Sequence, residues 1–193
     1  DGLGQDSRIT YTFPRAGDYI LEVRDVKYQG GADSFYRLRL GDFPAATLPF
    51  PLGGKRGTKV QVAPTGSGTE SVPPQEVTVS ADPNASVMPI EVRSPTGGKV
   101  EGLTFQIDSI DEIIEKEPNG EAANATRFTV PQMLNGRFEV PGDIDRFVFS
   151  AKKDERIVFE TVSRPLGSPA DLFMVIQNVQ GQELAANDDA GKD

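Results

Sequence analysis

The sequence predicts an all-β protein, and three observations carry that prediction. Apolar and polar residues alternate with period two along most of the chain, which lines one face of an extended strand rather than one stripe of a helix. The 20 Gly and 15 Pro are spread between dense apolar segments, as suits short strands joined by many turns. Only residues 108–135 have any helical flavour, and Pro118 limits it. Less than about a tenth of the residues are therefore expected in α-helix.

In chain order, Ile9, Tyr11 and Phe13 alternate with polar neighbours, PRAGD turns the chain, and Tyr19, Leu21 and Val23 alternate again. That pattern predicts a hairpin. After YQGGADS, Tyr36, Leu38 and Leu40 give a third strand, and GDFP closes a first block spanning 1–44. Residues 45–110 open with PFPLGGKRG and hold short strands at Val60 and Val62, Val77 and Val79, Ile90 and Val92, and Leu103, Phe105 and Ile107. Their spacing and Pro/Gly turns suit a small immunoglobulin-like module. Residues 111–135 read as an acidic connector. In 136–193, Phe138 and Val140 form a strand edge, PGDID a tight turn, and Phe147 and Phe149 alternate before AKKDE leads into IVFETV. Leu172, Met174 and Ile176 then share one face and Phe173 and Val175 the other, as in a strand inside a sandwich.

Composition removes whole classes of function. The chain of 193 residues is 37% hydrophobic and 25% charged, enough for one good core or two small ones. A net charge of −9 with no concentrated basic surface argues against nucleic acid. There is no Cys, so disulfides and thiolate chemistry are excluded. There is no His, which removes Ser-His-Asp and Cys-His nucleophile systems, the usual general base and nearly every catalytic zinc site. A carboxylate-pair hydrolase survives on composition alone, but the chain has no Trp and only 4 Tyr to line a sugar cleft, and no enzyme is expected. No apolar run approaches the length of a membrane span, so membrane insertion is not expected. Asn84-Ala85-Ser86 and Asn124-Ala125-Thr126 match the N-glycosylation acceptor pattern, which carries no weight if the source is bacterial.

The segments EKEPNG, NGRFEVPGDIDRFVFSAKKDERIVFETV and SPADLFMVIQNVQGQELAANDDAG, in that order, resemble the front half of the bacterial pre-peptidase C-terminal domain. SRITYTFPRAGDYILEV followed by GGADSFYRLRL resembles the back half of the same family. PGDIDRF and AGDYILEV are the more specific motifs. The resemblance implies a jelly-roll β-sandwich of the type appended to secreted peptidases and surface proteins. On this reading 1–44 is the back half of one copy and 111–193 the front half of the next, split at the loops DGLGQDSR and NDDAGKD. Each half carries an apolar face and open strand edges, so the halves are expected to pair within one chain or between neighbours. The alternative is that each half packs on the middle module.

The constellation that bears chemistry is EKEPNG with PGDID. A hard cation such as Ca²⁺ takes oxygen ligands, and alternate residues of an extended segment, Glu115, Glu117 and Asn119, point oxygens to one side. Asp143 and Asp145 supply the rest if the turn after Gly142 folds beneath the connector. In calcium-binding members of the resembling family, the matching acidic connector and the Asp of the first turn supply ligands, although Gly120 stands where many relatives carry a second polar residue. The plainer reading is that these are solvated turn residues. Asp188, Asp189 and Asp193 offer a second acidic group, which turn chemistry already explains. Together these readings predict a non-catalytic module of a secreted, periplasmic or cell-surface bacterial protein. It would bind a polysaccharide or an extracellular protein in adhesion, or serve as a calcium-stabilised spacer. The alternative is a repeat unit of a head-to-tail assembly whose half-domains complete one another.

Overall fold

A computed structural model describes residues 8–41, 45–94 and 98–188. The acidic loop at 1–7, the end of the GDFP turn and the aspartates Asp189 and Asp193 lie outside the described residues. The described residues hold twelve strands and one 3₁₀ turn and no α-helix, so the protein is all-β as its alternation predicts. They fall into two compact units, divided after Phe43.

The second unit contains the apolar core. Strands β1 (Ala45–Phe50), β3 (Lys59–Ser67) and β4 (Gln75–Thr78) form one antiparallel sheet in the order β1-β3-β4. Strands β2 (Gly53–Lys55), β6 (Lys99–Asp108) and β5 (Val87–Arg93) form another, with β2 parallel and β5 antiparallel to β6. The strands read at Val60, Ile90 and Leu103 are β3, β5 and β6, and the Val77–Val79 stretch contributes β4. Their inward residues Val62, Val79, Val92, Leu103, Phe105 and Ile107 make one cluster between the sheets, with Phe105 fully buried. β1 and β2 were not legible, because PFPLGGKRG lacks alternation; the chain leaves the first sheet at Phe50 and joins the second at Gly53.

Gly54 shows why that crossing needs glycine. A Cβ there would lie 2.8 Å from Val60 Cγ2, 2.8 Å from Val79 Cγ2 and 3.1 Å from the Phe105 ring. At the sandwich edge, the Gln75 amide donates to the Arg93 carbonyl at 2.5 Å and accepts from the Arg93 N–H at 3.2 Å. One side chain thus spans the two sheets and occupies backbone groups that an edge otherwise leaves open.

Beyond the sandwich the strands are short. β7 (Glu112–Ile114) pairs in parallel with β9 (Met133–Asn135), and β8 (Thr126–Arg127) pairs in parallel with β10 (Phe147–Val148). Near the end, β11 (Met174–Gln177) and β12 (Glu183–Asn187) form an antiparallel pair. The connector thus contributes strands to two sheets instead of helix. Phe149 packs on Phe128 and Phe159 at centroid distances of 5.4 and 5.2 Å, but the strands expected at Phe138 and Val140 and at IVFETV join no ladder.

In the first unit the segments expected as a hairpin and a third strand form no ladder. Alternation specifies an extended chain with one apolar face, whereas a strand also needs a partner in register, which alternation does not encode. Ile9, Tyr11, Phe13, Tyr19 and Leu21 are each more than half exposed. Local order comes from close contacts. The Tyr19 hydroxyl donates to the Arg15 carbonyl at 2.7 Å, a hydrogen bond of the tyrosine-corner kind. Phe13 packs on Tyr19 at 4.4 Å, and Asp25 Oδ2 accepts from the N–H groups of Lys27 and Gln29 at 2.9 and 3.0 Å.

The sandwich core sets the stability of the second unit. Phe105→Ala is expected to cost about 3–5 kcal/mol in urea denaturation, since it leaves a cavity between two sheets. Gly54→Ala is expected to cost about 1–3 kcal/mol by overpacking the same place.

Candidate metal centre

Two parallel strand pairs bring the acidic residues together. β7 and β9 run in register from Glu112 with Met133 to Ile114 with Asn135, and the Glu115 N–H extends the ladder by donating to the Asn135 carbonyl at 2.9 Å. This places Glu115 at the mouth of EKEPNG. The chain then turns on itself: the Asn119 N–H donates to Glu117 Oε2 at 2.8 Å, and Asn119 Nδ2 donates to Glu115 Oε2 at 2.9 Å. The second pair, β8 with β10, is opened by the Thr126 N–H donating to the Arg146 carbonyl at 2.9 Å, which fixes Asp145 immediately before β10. The Lys116 N–H donates to Thr126 Oγ1 at 3.1 Å and ties the two pairs to each other.

Glu115, Glu117 and Asp145 each offer a carboxylate oxygen within 4.8 Å of the others. Asn119, in the same cluster, is wholly buried. Among the described residues, the buried side-chain oxygens and nitrogens that lack a hydrogen-bond partner are Glu117 Oε1, Asn119 Oδ1 and Asp145 Oδ1. All three are acceptors in one cluster, although buried polar atoms elsewhere in proteins are nearly always paired. A Cβ on Gly136 would lie 3.0 Å from Glu115 Oε2 and 3.1 Å from Asp145 Oδ2, so a side chain there would crowd both carboxylates. A groove lined by Phe50, Ile114, Glu115, Glu117, Arg137 and Glu139 borders the cluster.

Four of the five residues expected as ligands are thus brought together, and Asp143 takes another role. Its Oδ2 accepts from the Glu139 N–H at 2.7 Å and its Oδ1 from the Ile144 N–H at 3.0 Å, so its carboxylate braces the PGDID turn. Gly142, with φ of 86°, adopts the left-handed conformation that this turn requires. Gly120 lies against the Ile144 carbonyl and leaves no side chain in the cluster.

Sequence reasoning missed Asn135, Gly136 and Arg137. The Arg137 N–H donates to Glu115 Oε1, and Asn135 is buried with its Oδ1 accepting from the Leu52 N–H at 2.9 Å and its Nδ2 donating to Glu112 Oε2 at 2.8 Å. The dipeptide Asn135-Gly136 carries only a turn signal in sequence, because its partners lie far away in the chain.

The electrostatics follow from acids gathered with too few donors. Burial pushes Asp145 up from its ordinary 3.8 to about 7, helped by the charge of Glu115, that of Asp143, a hydrogen bond with Glu115 and the charge of Glu117. Burial also raises Glu112, against the hydrogen bond from Asn135 that lowers it. The donor set is carboxylate and amide oxygen with no nitrogen or sulfur, which suits a hard cation. Ca²⁺ takes about six to eight such oxygens at roughly 2.3–2.6 Å, with water completing the shell.

The sign of the pH dependence follows from the direction of the Asp145 shift. A carboxyl group raised from 3.8 to about 7 on folding contributes stability that is full below the lower value and lost as pH rises through the upper one. In calcium-free buffer the melting temperature is therefore expected to fall from pH 5 to pH 8 by more in the native chain than in Asp145→Asn; equal slopes would contradict the assignment. No family model matches this chain, and neither a curated protein nor a solved structure matches it, so its function is argued from the all-β fold and this acidic centre.

Proposed function

We propose that the chain is a non-catalytic, calcium-stabilised β-sandwich module of a larger secreted or cell-surface bacterial protein, serving as a spacer or holding a polysaccharide or an extracellular protein. The observation that carries the reading is the convergence of three buried, donor-free oxygens from Glu117, Asn119 and Asp145 with the Glu115 carboxylate. Left empty, such a cluster is costly, because buried polar groups without partners and like charges in a low dielectric both oppose folding. A divalent cation turns each of these costs into a ligand bond. The absence of His and Cys from the sequence supports a binding or structural role over catalysis. Among the described residues no helix is long and apolar enough to cross a membrane. An extracellular setting supplies calcium at a concentration that weak sites can use, and the likeness of PGDIDRF and AGDYILEV to the pre-peptidase C-terminal family agrees with that setting.

Calorimetric titration with Ca²⁺ tests the reading. Binding is expected in the native chain, with loss of at least tenfold in affinity in Glu117→Gln and Asp145→Asn and a smaller loss in Asp143→Asn, whose carboxylate braces the turn. At calcium a hundredfold above Kd the folded state gains about 2.7 kcal/mol, visible as a rise in melting temperature reversed by chelator. No heat of binding and an unchanged melting temperature would refute it.

A second reading, a head-to-tail assembly unit, has its own support. Apolar residues stay exposed in the first unit, Ile9, Tyr11 and Tyr19 among them, and separately in the second, Val140, Val158 and Phe173 among them. Sedimentation velocity across a concentration series distinguishes it: mass that grows with concentration favours assembly, and a constant monomer favours the spacer.

A further inference from the structure

We propose that the acidic centre is a joint: a divalent cation held there fixes the orientation of the sandwich of residues 45–108 against the strand block of residues 138–188, and Asn135 transmits that constraint. The inference rests on the calcium reading above and assigns the centre a mechanical role.

The ligands come from two pieces of chain that the short β8–β10 ladder and the Lys116–Thr126 hydrogen bond otherwise join. Glu115, Glu117 and Asn119 belong to the connector, and the connector is clamped to the sandwich. The Gln106 N–H of β6 donates to the Leu52 carbonyl at 2.9 Å, the Leu52 N–H donates to Asn135 Oδ1 at 2.9 Å, and Asn135 Nδ2 donates to Glu112 Oε2 of β7 at 2.8 Å. Lys55 Nζ meets Asp111 Oδ1 at 2.6 Å beside this clamp. Asp145 belongs to the other piece, at the entry to β10 and the strands that follow it. A line of directed hydrogen bonds thus runs from β6 through Leu52 and Asn135 to Glu115, and the step to Asp145 is made by the two-residue β8–β10 ladder and across the acidic cluster.

The strength of that last step depends on the cation. Without it, the carboxylates of Glu115, Glu117 and Asp145 crowd one another, so the cluster adds little to the hold of the short β8–β10 ladder. With it, the same oxygens are held at coordination distance from one point, which restricts rotation as well as separation. Asn119 adds an independent sign that a ligand belongs here. It is wholly buried, its Nδ2 reaches Glu115, and its Oδ1 has no partner. The block beyond Asp145 contributes nothing to the buried apolar cluster, which lies between Ala46 and Ile107; the β8–β10 pair and the contact of Phe149 with Phe128 hold it to the connector. The cation supplies a further polar link at the entry to that block.

The chain has no Cys, so two spin labels can be placed without background. Labels at Thr78→Cys on β4 and Lys153→Cys in the turn after Phe149, both exposed, report the distance between the two pieces by pulsed electron resonance. With binding first verified by calorimetry on the labelled chain, saturating Ca²⁺ is expected to narrow the distance distribution at least twofold relative to chelator. Asn135→Ala keeps every ligand side chain, so it is expected to bind Ca²⁺ within about threefold of the native affinity while its distribution stays broad. Binding with an unchanged distribution in the native chain overturns the joint and leaves the calcium centre standing. Absence of binding overturns the calcium centre itself and the joint with it. Narrowing in Asn135→Ala equal to that of the native chain removes Asn135 as the transmitting residue. The native comparison decides the main point alone should Asn135→Ala fail to fold.

Discussion

Among the described residues the buried apolar core lies wholly between Ala46 and Ile107, and the rest of the second unit is positioned from there. Sheet packing around Phe105 gives the sandwich its rigidity, since interlocked side chains at interior density resist displacement. The short strand pairs β7 with β9 and β8 with β10 have too few residues to bury a core of their own. Two-stranded pieces of this length are marginal in water and depend on what they are attached to. Attachment is polar: one buried asparagine, a few main-chain hydrogen bonds and a cluster of carboxylates.

This arrangement links stability to chemistry. A buried amide that satisfies a backbone donor on one side and a glutamate on the other, as Asn135 does, makes a directional contact that apolar packing cannot supply. The acidic cluster next to it has the opposite character. Its acceptors outnumber its donors, so as an isolated element it opposes the fold, and the raised Asp145 is the measure of that opposition. Proton and metal ion compete for the same oxygens, and each removes part of the repulsion. Of the two, only the metal ion ties several side chains to one point.

Several parts of this picture were legible in the residues. Alternation at Val60, Ile90 and Leu103 reported strands correctly, because a strand buried on one face must alternate whatever its partners are. EKEPNG signalled acids near one another, but they meet through a turn closed by the Asn119 N–H on Glu117 and not along an extended segment. PGDID was half legible. Asp143 and Asp145 have the same residue type and the same spacing, yet one braces a turn and the other points into the cluster. Backbone direction after Gly142 separates them, and no pattern of residue types records it.

The sequence by itself determined the class of fold, the absence of thiol and imidazole chemistry and the acidic character of the candidate centre. These follow from composition and from short-range periodicity, which act through neighbouring residues along the chain. Tertiary structure alone decided which strands pair, that β1 and β2 belong to different sheets, and that Asn135 joins Leu52 to Glu112. It also decided that the oxygens of Glu117, Asn119 and Asp145 are buried together without donors. The reason is physical: pairing and burial are properties of residues far apart in the chain, and the free energy of an oxygen depends on what surrounds it once the chain has closed.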